Sequence, residues 1–162
     1  MSWAANPQFN YLILTKFPLR MAEFTWPRHC WLGTTVDAQA RMPNAEKALW
    51  KLREQVDVLW GSFEPMLTPL GISAPSPFDW IVIGGASATD DTPAFRPPRE
   101  WVFALEEQCD AWGIKVFEKP NCFARRTEFP FVDTPPPVDV PRAFKIGYLD
   151  RDAVLQGRED VS

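Results

Sequence analysis

Apolar residues gather in five short runs: Tyr11–Leu14, Cys30–Gly33, Val58–Trp60, Trp80–Ile83 and Ile114–Phe117. Each is too short for a helix, carries β-branched or aromatic residues and gives way to polar ones. That is how strands buried on both faces of a parallel sheet read, with the polar residues at their carboxyl ends. The fullest example is Asp79–Ser87, where an unbroken apolar run meets the pair Gly84–Gly85. Two glycines there let the chain turn sharply and let another group come close.

Helical spacing fills the gaps. Pro18 suits the first turn of a short helix running through Met21 to Phe24 and closed before Pro27. Asn44 is a candidate cap, after which Ala45, Ala48, Leu49, Leu52 and Val56 recur on one helix face. Pro97–Pro98 start another helix, with Trp101, Leu105, Cys109 and Trp112 on one face and Gly113 as its stop. Strand alternating with helix requires right-handed crossovers and a parallel sheet. The expected fold is therefore α/β, with about five parallel strands and connecting helices, either an open sheet or a partial (β/α) barrel. This domain is expected over residues 1–131. Asp133-Thr134-Pro135-Pro136-Pro137 can be neither helix nor central strand, so 132–162 is expected to be a Pro-rich, charged tail that wraps or frays.

A chain of 162 residues suits one domain with a real core. Its 17 basic and 21 acidic residues give −4, which offers no general attraction to polyanions, and Arg125-Arg126 is a poor basic patch. A nucleic-acid partner is therefore not expected. No apolar stretch reaches bilayer length, and no basic segment followed by an apolar run marks a signal peptide. Cys30, Cys109 and Cys122 are odd in number and far apart, so they make neither a disulfide ladder nor a zinc knuckle. A reducing cytoplasm is the expected compartment.

Parallel strands bring their carboxyl ends to one rim. Thr15, Lys16, Thr34, Thr35 and Asp37 fall there from the first two runs, and Ser62 and Glu64 from the third. Gly84, Gly85 and Ser87 follow from the fourth, and Lys119 and Asn121 from the fifth. Strand ends are polar in most proteins because they meet water, so the row as a whole points to a small polar ligand more than any member does. Glu64, between Phe63 and Pro65 after a buried strand, is the candidate catalytic base, or the ligand for an ammonium or hydroxyl pair. Lys16 and Lys119 are suited to a carboxylate or phosphate. The single histidine, His29, precedes a strand and belongs to the opposite rim, which disfavours a Ser–His or Cys–His nucleophile. Metal-ligand spacing is absent, and Gly84–Gly85 is neither a phosphate loop nor a dinucleotide fingerprint. Cys109 reads as core, and Cys122 as a candidate reactive thiol.

Several segments carry a resemblance: Leu14-Thr15-Lys16-Phe17-Pro18, Trp31-Leu32-Gly33-Thr34-Thr35-Val36, Ser62-Phe63-Glu64-Pro65-Met66-Leu67, and Asp79 through Gly85. They continue with Pro98-Arg99-Glu100-Trp101, Val116 through Asn121, and Arg126-Thr127-Glu128-Phe129-Pro130. In order and spacing over 11–131, the chain resembles the carboxyl-terminal portion of a phage and bacterial family of unknown function related to radical S-adenosylmethionine (SAM) enzymes. The resemblance implies a (β/α) partial barrel holding SAM along its carboxyl-end rim. Thr35, Ser62, Gly84, Gly85, Ser87, Lys119 and Asn121 would then be cofactor contacts. It also implies an iron–sulfur cluster on a three-cysteine loop, which this sequence lacks, so a partner chain would have to supply those cysteines. A half-barrel exposes a parallel edge at Tyr11–Leu14, so dimerisation or a complementing chain is expected there. The alternative is a phage-encoded binding protein built on a degenerate scaffold of this kind.

Overall fold

A computed structural model describes residues 9–90 and 93–130. The tail expected at 132–162 lies outside these residues, as does most of the amino-terminal segment. Five strands form one sheet: β1 (Tyr11–Thr15), β2 (Cys30–Thr35), β3 (Val58–Phe63), β4 (Trp80–Ile83) and β5 (Lys115–Glu118). All four pairings are parallel, in the order β1-β2-β3-β4-β5. The chain is α/β, as the alternation predicts. Three of the runs extend further than expected, since β1, β2 and β3 take in Thr15, Thr34–Thr35 and Gly61–Phe63. Ladder hydrogen bonding continues past the last apolar side chain because polar backbone needs partners as much as apolar backbone does.

The connections are α1 (Pro18–Met21), α2 (Met42–Leu52) and α3 (Arg99–Ala111), with a 3-10 turn at Gln39–Arg41 leading into α2. That turn shifts the start of α2. Arg41, not Asn44, is its N-cap, and Pro43 occupies the first turn, where its missing N–H costs nothing. α3 follows Pro98 directly, and the chain leaves it through Gly113 at φ +67°, a conformation glycine adopts without strain. Trp112, expected on the buried face, is instead exposed. The buried stripe is Val102, Leu105, Glu106 and Cys109.

Side chains alternate along each strand, so the sheet has two apolar faces. On one, Leu32, Leu59, Ile81 and Val116 meet Ala45, Leu49 and Leu52 of α2, and Leu105 and Cys109 of α3. On the other, Trp31, Val58, Trp60, Trp80 and Val82 cluster with Phe117 and Phe129, and no helix contributes to this second face among the described residues. Sequential strand order with helices gathered on one side leaves the second face to position a site. No helix of the described residues is long and apolar enough to cross a membrane.

Candidate functional site

Odd-even alternation places Trp60, Ser62 and Glu64 in line on the second face. Trp80 and Val82 lie beside them on β4, and Phe117 on β5, with Lys119 directly after its end. With Leu14 and Phe129 they line a cavity of about 270 Å3. Its floor is aromatic: Trp60 and Trp80 are 5.4 Å apart between ring centroids, Trp80 and Phe129 5.3 Å, and Phe117 and Phe129 5.4 Å. The indole N–H groups are turned to backbone, Trp60 Nε1 donating to the Trp31 carbonyl at 3.2 Å and Trp80 Nε1 to the Glu128 carbonyl at 2.9 Å. Such anchoring fixes the rings as walls for a flat apolar group.

The carboxyl-end lip is charged. Glu64 Oε2 lies 2.5 Å from Lys119 Nζ, an ion pair joining the ends of β3 and β5 across the end of β4. The pair is only partly withdrawn from solvent, the carboxylate 18% exposed and the ammonium side chain 45%. Glu64 can accept from an ammonium or hydroxyls, and Lys119 can donate to a carboxylate or phosphate. Ser62, buried, lies beside them on the cavity wall.

Gly84 and Gly85 have a different role. A Cβ on Gly84 would stand 2.9 Å from Glu64 Cγ and 3.3 Å from Asn121 Oδ1. One on Gly85 would overlap the Phe95 carbonyl oxygen and lie 2.9 Å from that of Asn121. The close approach these glycines permit is therefore made by the protein itself. Asn121 completes the arrangement with two reciprocal bonds, Gly85 N–H to Oδ1 at 3.2 Å and Nδ2–H to the Gly85 carbonyl at 2.8 Å. After Gly85 the loop turns back through an antiparallel bridge, Ala86 to Phe95.

Ser87 lies beyond that bridge, exposed, and outside the aromatic cavity. Thr35 is also outside it. Thr35 lines a second, smaller cavity with Lys16, Arg41 and Asn44, although it pairs in register with Ser62. Glu64, Ser62 and Lys119 thus come together with Gly84, Gly85 and Asn121 supporting them, while Thr35 and Ser87 stand apart. Sequence reasoning missed the aromatic walls, Trp60, Trp80, Phe117 and Phe129. The signal was there in spacing: Trp60, Ser62 and Glu64 share parity, as do Phe117 and Lys119, so aromatic and charged residues must share a face.

The cysteines are fully packed in the helix-side core, 0%, 0% and 1% exposed for Cys30, Cys109 and Cys122. Burial raises the Cys109 thiol to about 12 and the Cys122 thiol to about 11, the Glu118 carboxylate adding to the latter. Cys122 is therefore not the reactive thiol its position suggested, because a thiol is nucleophilic only as thiolate. Dispersed, buried cysteines also do not fit an iron–sulfur cluster, which needs closely set thiolates. Among the described residues no group of three or more His, Cys, Asp or Glu is placed to hold a metal ion. His29 adjoins the start of β2, at the amino-end rim, its backbone carbonyl accepting from the Tyr11 N–H.

The sequence profile of a family described as protein of unknown function (DUF5131) matches residues 1–129. The chain belongs to this family. No curated protein matches it, and no solved structure does. DUF5131 membership assigns no chemistry.

Proposed function

We propose that this DUF5131 chain is a radical-SAM-like partial (β/α) barrel that binds a small ligand with a flat ring and a zwitterionic end in the aromatic cavity, SAM being the expected ligand. The observation that carries this reading is the joining of an aromatic floor to the Glu64–Lys119 pair. Trp60, Trp80, Phe117 and Phe129 offer π faces to a base. At the lip, Glu64 would take an ammonium or ribose hydroxyls, Lys119 would take a carboxylate, and Ser62 would add a hydroxyl. The sequential strand order and the one-sided helices suit a stretch of barrel wall. When bound beside a reduced cluster, SAM supplies an adenosyl radical; this chain's cysteines do not fit the cluster, so the chain alone is not proposed as a complete catalyst.

Titration of the full chain with SAM, read by quenching of Trp emission, tests this. Saturable quenching, weakened about tenfold by Glu64→Gln and again by Lys119→Met, is expected. Emission that stays unchanged at millimolar SAM removes the reading.

A specific observation favours a second reading, a partner chain on the β1 edge. Leu12 and Leu14 of β1 are about half exposed and Phe17, just past its end, is 73% exposed, and β1 pairs only with β2 among the described residues. A second copy or a complementing chain adding a strand there would cover them. Sedimentation that reports a monomer at all concentrations, alone and with the candidate chain, refutes it.

A further inference from the structure

At the ends of β1 and β2, next to the aromatic cavity, lies a polar cavity of about 120 Å3 lined by Lys16, Pro18, Thr35, Ala40, Arg41 and Asn44. Three properties set it apart from an ordinary wet crevice. Thr35 lines the cavity, is only 8% exposed, and makes no side-chain hydrogen bond among the described residues. A largely buried hydroxyl left unpaired beside a cavity is free to bond a group that is not part of the fold. Lys16 forms no ion pair among the described residues, which leaves its ammonium available to an anion. Finally, the wall includes the start of the eleven-residue α2, whose N-cap Arg41 makes no side-chain capping bond. The positive end of the helix therefore adds to the positive side chains.

Arg41 is held by the neighbouring Asp37, Nε to Oδ1 at 2.7 Å, which fixes the guanidinium at the cavity wall and offsets part of its charge. Asn44, exposed in the first turn of α2, presents an amide able to donate. All the polar groups lining this cavity can donate a hydrogen bond, and its size suits one tetrahedral oxyanion rather than a nucleoside.

We propose that Lys16, Thr35, Arg41 and Asn44 form an oxyanion subsite that takes a phosphate group. The subsite adjoins the aromatic cavity. Thr35 is the register partner of Ser62, the Val36 N–H donates to the Ser62 carbonyl at 2.9 Å, and Leu14 of the aromatic cavity is two residues before Lys16 on the same chain. A phosphorylated ligand can thus reach both, but the subsite stands on its own residues and not on the SAM reading.

The test uses inorganic phosphate alone on the full chain, at constant ionic strength, with backbone amide shifts as the readout. Saturable shifts at Lys16, Thr35 and Asn44 are expected, with affinity falling about tenfold in Thr35→Val and in Lys16→Gln. Lys16 is exposed, so its variant keeps the test valid if Thr35→Val disturbs packing. Phosphate shifts that do not saturate, or affinities equal in wild type and Lys16→Gln, overturn the proposal. So does acetate binding more tightly than phosphate, since that assigns the cavity to a carboxylate. Phosphate binding without SAM binding, or the reverse, separates the two proposals.

Discussion

Glu64 and Lys119 pair across a strand that belongs to neither of them. β3 and β5 are separated by β4, and the 2.5 Å contact passes over its end because Gly84 has no side chain to obstruct it. The neighbouring glycine is packed against backbone instead. Gly84→Ala meets the flexible Glu64 side chain and is expected to cost about 1–3 kcal/mol. Gly85→Ala meets the Phe95 and Asn121 carbonyls, which cannot rotate away, and is expected to cost roughly 3 kcal/mol or more. Urea midpoints should therefore order wild type above Gly84→Ala above Gly85→Ala. The reverse order of the two variants would show that the backbone yields more readily than the ion pair.

A third glycine, Gly33, fixes the aromatic floor. A Cβ on Gly33 would stand 2.5 Å from Trp60 Nε1, so the Trp60 indole lies directly against the β2 backbone. Gly33→Ala is expected to displace that ring, costing about 1–3 kcal/mol and altering near-UV circular dichroism. Combined with Trp60→Leu, the alanine should be nearly neutral, giving a coupling energy of at least about 1 kcal/mol in a double-mutant cycle. Additive costs would show that the two residues do not oppose each other.

How far the sequence leads depends on whether the signal is local. Trp80–Ile83 is legible in both position and length, because an apolar run bounded by Asp79 and a glycine pair has only one reading. Parallel order follows from alternation alone, and the rim that gathers Ser62, Glu64 and Lys119 follows from order. Asn44 misleads because capping preference is a local rule, overridden here by a 3-10 turn ahead of Pro43. Trp112 misleads because helical spacing continues past the point where the helix meets solvent. The use of Gly85 is not legible at all, since its neighbour Phe95 comes from a loop whose return path has no periodicity.

The cysteines should be silent toward thiol reagents in the native state. All three are buried, and burial holds Cys109 at about 12 and Cys122 at about 11. At pH 8 almost none of either is thiolate, and attack requires the thiolate. A disulfide reagent is expected to release colour only after denaturant is added. Rapid modification of one thiol in the folded protein, located by mass spectrometry, would show that the helix-side core opens locally.

Beneath β5, two carboxyl groups share one guanidinium. Arg125 Nη2 lies 2.6 Å from Glu106 Oε2 and 3.3 Å from Glu118 Oε1, and Glu118 is completely buried. Burial raises Glu106 above the ordinary value of 4.5, the neighbouring Glu118 carboxyl adds to the rise, and Arg125 opposes it. The native state thus keeps a proton that the unfolded chain releases near pH 4.5. The stability this contributes is fully present below pH 4.5 and is lost as pH climbs through the raised native value. Urea midpoints measured from pH 4.5 upward are expected to fall through that window for wild type. Glu106→Gln retains a neutral hydrogen-bonding group at every pH, so its midpoint should stay flat there and exceed that of wild type on the alkaline side. A variant whose midpoint follows wild type across the window would show that the pH dependence belongs to other groups.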